Sequence, residues 1–404
     1  MAKKKWDADV KISPSDFFSS QLSSSQAELG RNDTFVGKES QRVIIGIPLK
    51  AFSLRYLFQN DCFPLSRMTE LYGVSESCKS AMLYEMFRWH VDAGGGYVLN
   101  LAEPRDSPDL RASIIGHASD TTFPTVTCNS IEDWQQNITE WLKKSRDMFS
   151  ESGSCPFPAA IGVDSLTGVT TRGDIDDIWS KGFASIGFAK AANIINTYCK
   201  FVFSELRVWP YSFIGVNHMK ISKNPQGFIE RKIPGGQALD YYATFKLRMH
   251  RRNDIDRLDE AGRLIEFTMD KNSLGTAPER RSIDVPMKWI FNENGEQHTW
   301  WDWHEASIAL INEMTSTRKN RVLEVTGLRN INKAQRTADC GELGMIKATW
   351  TEIGAAIEEN EVIKAELDAI HGIRKRRPFR AGVPYSVQMK EACEAGELED
   401  EKHP

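Results

Sequence analysis

Two kinds of apolar spacing follow one another along this chain. Up to about residue 216, short apolar runs alternate with segments whose apolar residues recur every three or four positions. Val43-Ile44-Ile45 is the first β-branched run, and Phe52 to Phe58 reads as a short helix. Met68 to Tyr72 gives a weaker strand that enters a Gly-bearing loop directly. Ser80 to Val91 has helical spacing through Met82, Leu83, Met86 and Phe87, and Tyr97-Val98-Leu99 supplies the next strand. Strand, loop, helix, strand is the order of a parallel α/β sheet, because parallel neighbours need a crossover between them. The alternation continues. Ile131, Trp134, Ile138, Trp141, Leu142 and Phe149 fall on one helical face, Ala159 to Val163 reads as a buried strand, Phe183 to Phe203 as a helix, and Tyr211 to Val216 as another strand.

Beyond it the period drops to two. Phe245, Leu247 and Met249 alternate with Lys246, Arg248 and His250, and Ile283, Val285, Met287, Trp289 and Phe291 alternate again. These predict antiparallel extensions of the sheet, with Pro286 favouring an edge because proline brings no N–H to a ladder. From about Asn292 the pattern turns mostly helical, over Ala306 to Met314, Ile346 to Ile357 and Ile363 to Ile373. Residues 1–42 are rich in Ser, Asp and Lys, which predicts a flexible arm. The expected organisation is an arm over 1–42, an α/β core over 43–292, and a C-terminal domain over 293–404 that ends in the basic cluster Arg374 to Arg377 and an acidic tail.

Composition narrows the function classes. The 404 residues carry 51 Lys and Arg against 55 Asp and Glu, so the net charge of −4 offers no global attraction to polyanions. Any nucleic-acid site must be a local patch. Seven Cys without a C-x-x-C pair predict reduced thiols rather than a disulfide framework or a zinc site. The start, MAKKKWDADV, has no apolar stretch behind its Lys run, and nowhere do about 18 uncharged apolar residues follow one another. A soluble cytoplasmic protein with no membrane partner is expected.

The sharpest chemical signal is Gly73-Val74-Ser75-Glu76-Ser77-Cys78-Lys79-Ser80, between an expected strand and an expected helix. A loop in that place can turn successive backbone N–H groups around phosphates at a helix N-terminus. Lys79 would supply a cation and Ser80 a Mg²⁺ ligand, although the standard pattern has Gly where Cys78 stands. Asp164, at the end of the Ala159 to Val163 strand, is placed either to face a metal and its water shell or to cap a turn. Glu103, just past another strand end, either polarises an attacking water or is a solvated loop acid.

Taken in order, these segments resemble the RecA-type recombinases. Ser53, Leu54, Pro64, Arg67, Glu70, Tyr72 and Gly73 match the stretch that leads into that family's phosphate loop, Ala102-Glu103 its acidic turn, and Ile161 to Ser165 its Asp-Ser strand end. Asn217 to Pro225 and Pro234 to Ala243 are similar to its DNA-binding loop and its Gly-Gly-x-Ala-Leu-x-x-Tyr-Ala element. The resemblance covers roughly 43–292. It implies an α/β, RecA-like P-loop ATPase core whose mostly parallel sheet is extended by antiparallel strands, with a helical C-terminal domain. It further implies ATP and Mg²⁺ as cofactors, held by Gly73 to Ser80 with Asp164 behind them, Glu103 to position water, and His218 to sense the γ-phosphate. Lys271 would reach the nucleotide of a neighbouring subunit. Lys220, Lys223, Phe228, Arg231, Lys232, Gly235 and Gly236 would contact DNA, and a helical filament of identical subunits would form on single-stranded DNA and exchange it with a homologous duplex in a bacterial or phage-infected cell. A filament scaffold with weak hydrolysis and a motor such as a helicase are the alternatives.

The chain departs from the family pattern at four places. Cys78 stands for Gly. Asn217-His218 matches the family's Asn-Gln sensor, whereas alignment on Met219-Lys220 would put Gly215-Val216 there instead. Ser107-Pro108-Asp109-Leu110 replaces the base-contacting Asp-Pro-x-Tyr, and Lys271-Asn272-Ser273 keeps only the first Lys of a Lys-x-Lys pair. The family's second DNA loop falls near Gly168 to Phe183 and is acid-rich here. Trp300, Trp301 and Trp303 read as core or interface, or else as a stacking platform. Arg374 to Arg377 read equally as a DNA-capturing patch or a solvated terminus.

Overall fold

The computed structural model describes residues 44–103, 107–116, 123–149, 155–181, 189–223, 229–234, 238–257, 260–275, 280–316, 328–332, 337–340, 345–347 and 349–394. Nine strands form one sheet: β1 (Met68–Gly73), β2 (Gly96–Leu101), β3 (Thr125–Thr127), β4 (Ala159–Asp164), β5 (Tyr211–His218), β6 (Phe245–Arg257), β7 (Glu260–Asn272), β8 (Arg281–Phe291) and β9 (Gln297–Trp301). They lie in the order β9-β8-β7-β6-β1-β5-β4-β2-β3. Pairing is parallel from β6 through β3 and antiparallel from β6 through β9, so the change of period after residue 216 marks the change of strand direction. The fold is α/β.

Helices supply the crossovers. α1 (Phe52–Phe58) precedes the sheet; α2 (Lys79–Asp92), α3 (Pro108–Ile115), α4 (Ile131–Met148), α5 (Arg172–Lys181) and α6 (Ala189–Leu206) lie between the parallel strands; the short α7 (Ala238–Tyr242) leads into β6. α4 starts with a reciprocal cap in which Ser130 accepts from the Asp133 N–H while Asp133 accepts from the Ser130 N–H. Its buried face, Ile131, Trp134, Ile138 and Leu142, packs with β4 and α6 residues such as Ile161 and Val202. The other sheet face buries Leu83, Met86 and Phe87 of α2 with Tyr97, and their ring planes are nearly parallel at 4.4 Å for Phe87 and Tyr97. Gly162 is required there, because a Cβ would sit 2.3 Å from the Phe87 ring.

The boundary expected near Asn292 falls inside one compact unit, Ile45–Gln388. α8 (Trp303–Ser316), α9 (Trp350–Glu359) and α10 (Glu361–Ile370) pack on α1 and the antiparallel strands. The ties that hold them include Phe52 N–H to Glu358 Oε1 at 2.6 Å, Arg55 to Asp368 at 2.9 Å, and Thr351 to Asp302. Trp301 and Trp303 are buried, their indole N–H groups reaching the Ala81 carbonyl and Glu85 of α2, which bears out their reading as core. Arg374 to Arg377 is a folded segment and not a solvated terminus: Arg376 binds Asn60 and Asp61, and Arg377–Pro378 pairs in parallel with Ile45 and Gly46.

Two further expectations are corrected. Pro286 lies in an internal strand; β9 pairs with Met287 to Phe291 only, so its ladder ends beside the proline and no N–H is missed there. Ile346 belongs to a short strand, Met345–Lys347, and the helix begins at Trp350, where Thr349 and Glu352 form a capping box. The helix expected over Phe183 to Phe203 is present over Ala189–Leu206, and its expected first residues lie outside the described residues. The arm over 1–42 lies outside the described residues. Among the described residues no helix is long and apolar enough to cross a membrane.

Candidate functional site

β1, β5, β4 and β2 are adjacent, and each delivers a candidate residue at its C-terminal end. β1 ends in Gly73, whose missing Cβ lets Met249 O and Ser77 Oγ approach; a Cβ would lie 2.3 and 2.6 Å from them. The loop then turns through two left-handed residues, Glu76 at φ 62° and Cys78 at φ 60°, before α2 starts at Lys79. Ser77 Oγ and Lys79 Nζ both donate to the Val74 carbonyl, at 2.8 and 2.7 Å. The Lys79 ammonium is thus held over the loop backbone. Burial draws its pKa down, against the opposing pull of Asp164 and Glu103.

Asp164 is buried at the end of β4, and burial pushes its pKa up while a hydrogen bond from Ser80 opposes the shift. The two expected Mg²⁺ ligands are therefore in contact. The peptide bond between Asp164 and Ser165 is cis. Ser165 Oγ donates to Glu103 Oε1 at 2.7 Å, and His218 Nε2, at the end of β5, meets the same oxygen at 2.5 Å. The His218 contact, helped by Ser165 and against partial burial, holds the Glu103 carboxyl down at about 2. Of the two possible alignments, Asn217-His218 is the pair whose side chains reach the site; Val216 is buried in β5. Among the described residues no group of three or more His, Cys, Asp or Glu could hold a metal ion by itself. A Mg²⁺ that keeps most of its water shell fits the pair Ser80 and Asp164.

Lys271 stands apart from this cluster, donating to the carbonyls of Asp240 and Tyr241 at 2.5 and 3.3 Å. The basic segment after His218 forms a hairpin, Lys220–Lys223 with Ile229–Lys232, in which Lys220 is opposite Lys232 and Ile221 opposite Arg231. Phe228, Gly235 and Gly236 lie outside the described residues. Ser107 caps α3 with Pro108 in its first turn, so this segment has become a helix start. Two acids of the Gly168 to Phe183 region are paired within the protein: Asp174 and Asp177 with Lys190, and Asp177 also with Lys181. Trp179 on α5 is 86 % exposed.

Three contacts escaped the sequence reading. Gly168 makes room for Glu103, since its Cβ would lie 2.7 Å from Glu103 Cγ. Asn217 Oδ1 accepts from Thr167 Oγ1 and from the His218 N–H, both at 3.0 Å, and so holds the His218 backbone. Met219 N–H donates to Gly73 O at 2.9 Å, tying the start of the hairpin to the start of the loop. The contacts of Gly168, Thr167 and Met219 depend on proximity of segments far apart in the chain, which no local spacing encodes. In comparisons with known proteins, no family model and no curated protein matches the chain.

Proposed function

We propose that the chain is an ATP-dependent DNA recombinase that forms filaments on single-stranded DNA and promotes homologous pairing and strand exchange. The observation that carries this reading is the convergence of Lys79, Ser80, Asp164, Glu103 and His218 at the ends of four adjacent strands, with a basic hairpin following His218 directly. The backbone N–H groups at the start of α2 and the Lys79 ammonium would hold the phosphates. Ser80 and Asp164 would hold Mg²⁺, which when bound neutralises charge on the β- and γ-phosphoryl oxygens. Glu103 would orient a water in line with the γ-phosphorus; the water O–P bond forms as the β,γ-bridging O–P bond breaks, the water's proton passes to a γ-phosphoryl oxygen, and ADP and phosphate leave.

The same geometry supports a brake. Oε1 of Glu103 is shared by Ser165 and His218, so a water competes for it until His218 turns to another acceptor. A γ-phosphate oxygen is such an acceptor. This restrained carboxylate also favours the second reading, a filament scaffold that holds nucleotide and DNA and hydrolyses slowly.

The test is phosphate release and joint-molecule formation by the full chain, with and without single-stranded DNA, beside Lys79→Ala. The recombinase reading expects DNA-stimulated release and ATP-dependent pairing in the wild type, and neither in a folded Lys79→Ala variant. Nucleotide and DNA binding without pairing would assign the scaffold.

A further inference from the structure

Glu70 lies in the middle of β1 with no solvent exposure. A carboxylate there is tolerable only with partners for both oxygens. Its Oε1 accepts from Asn217 Nδ2 at 3.0 Å, and its Oε2 lies 3.1 Å from Lys246 Nζ. Asn217 comes from β5 on one side of β1, and Lys246 from β6 on the other, where it is the register partner of Glu70. One carboxylate therefore braces three strands. Burial pushes the Glu70 pKa up, while Lys246 and Asn217 oppose this. Lys246 keeps its charge because Glu70 and Asp240 outweigh its own desolvation.

Each partner also reaches the part of the chain that follows the basic hairpin. Asn217 Nδ2 donates to the Pro234 carbonyl at 2.9 Å, and Lys246 Nζ binds Asp240 of α7. Lys271, opposite Lys246 on β7, adds its bonds to the Asp240 and Tyr241 carbonyls. In the other direction, Asn217 holds the His218 N–H, and His218 holds Glu103. An unbroken series of polar contacts runs from Glu103 through His218, Asn217, Glu70 and Lys246 to Asp240. Asn217 Oδ1 holds the His218 backbone N–H, so a shift of that backbone would turn the Asn217 amide, which has only Glu70 and Pro234 as acceptors among its described contacts.

We propose that Glu70 and Lys246 are positioning residues that couple the state of the nucleotide site to the placement of Pro234 and helix α7. The inference rests on the reading of the two sites as nucleotide- and DNA-binding. Coupling of this kind is reciprocal: nucleotide changes DNA affinity by the factor by which DNA changes nucleotide affinity.

The experiment measures that factor without turnover. Binding of a fluorescent oligo-dT strand to the full chain is titrated with and without a non-hydrolysable ATP analogue and Mg²⁺, and binding of the analogue is measured alone. Single removal of either charge would strand the other in the core and could unfold the protein, so the variant is the double one, Glu70→Gln with Lys246→Met, checked by its thermal midpoint. The wild type is expected to bind the strand at least 10-fold more tightly with the analogue, within the usual 5–150-fold range of such couplings. In the folded double variant the ratio falls to within 2-fold of unity while affinity for the analogue alone stays within 2-fold, and Lys246→Arg, which keeps the charge opposite Glu70, retains the wild-type ratio. A role in stability alone would move the midpoint and not the ratio. A double variant with the wild-type ratio overturns the coupling and leaves the site reading standing. A wild type that binds neither strand nor analogue overturns both.

Discussion

Cys78 offers the most direct test of the phosphate loop. It sits at φ 60° and ψ 29°, in the left-handed region, immediately before Lys79. A side chain there costs about 1–2 kcal/mol through contact of Cβ with the backbone. Cys78→Gly removes that strain but loosens the unfolded chain, a loss of about 0.5–1 kcal/mol. The net expectation is a change between roughly zero and about 1.5 kcal/mol of stabilisation. Cys78→Val keeps the Cβ and adds a branch that left-handed backbone tolerates poorly, so it should be less stable than the wild type. Urea midpoints of the three proteins without nucleotide measure this, and turnover measures whether the relaxed loop holds phosphate at least as well. A Gly variant destabilised by more than about 1 kcal/mol would refute the strain argument, because the side chain must then contribute packing that outweighs it. Thiol chemistry gives an independent check. A thiol beside a Lys and a helix start is expected to ionise easily, but burial pushes the Cys78 pKa up despite Arg263, whose Nη1 lies 3.9 Å from Sγ. Alkylation of Cys78 should therefore be slow, and slower still with Mg²⁺-ATP.

In His218→Ala the Glu103 carboxyl loses the partner that holds it near 2 and should rise toward 4.5, which a carboxyl-carbon titration of labelled Glu103 reads directly; an unchanged value would mean that the contact is not made in solution. For the basic hairpin, Lys220→Ala with Lys232→Ala should lower the salt slope of single-strand binding by about 0.7 per lost phosphate contact, and an identical slope would remove the hairpin from the DNA site. Buried His90, held between Met86 O and Ser212 Oγ, has its pKa lowered from 6.5 to about 4 by desolvation. The unfolded chain then binds the extra proton between those values, so stability is complete above pH 6.5 and falls toward pH 4 by up to about 3 kcal/mol. Because His371 is shifted in the same direction, His90→Gln should flatten the decline in urea midpoint from pH 6.5 to 4 by about half; the same slope in both proteins would show His90 already protonated in the fold.

Much of the sheet was legible because parallel strands are apolar on both faces and their crossover helices carry one apolar stripe, as in β4 and α4. The turn from β1 into α2 was legible from residue order, since Gly73 and Lys79 lie close together in the chain. The brace at Glu70 was not: the residue reads as one polar position in a weak strand, and its partners stand at 217 and 246. Arg374 to Arg377 misled for the opposite reason. Four cations in a row look like a solvated terminus, but the segment is held in place by Asn60 and Asp61, more than 300 positions away, as the separations of 315 and 316 residues record. Pro286 obeyed its local rule inside an internal strand because the neighbouring ladder stopped short, a length that its own sequence does not state.

The closure of the earliest strand and helix by the last segments sets a timetable for the chain's own synthesis. Arg55 waits for Asp368 across 313 residues, and the Phe52 N–H for Glu358 across 306. At roughly 5–20 residues per second, a ribosome takes about 15–60 s to produce those partners. During that interval Phe52, Leu54, Leu57 and Phe58, all buried in the finished protein, have only an unfinished surface to lie against. The nascent chain thus carries an apolar N-terminal segment that chaperones can hold, and the unit becomes complete only as its final helices leave the exit tunnel.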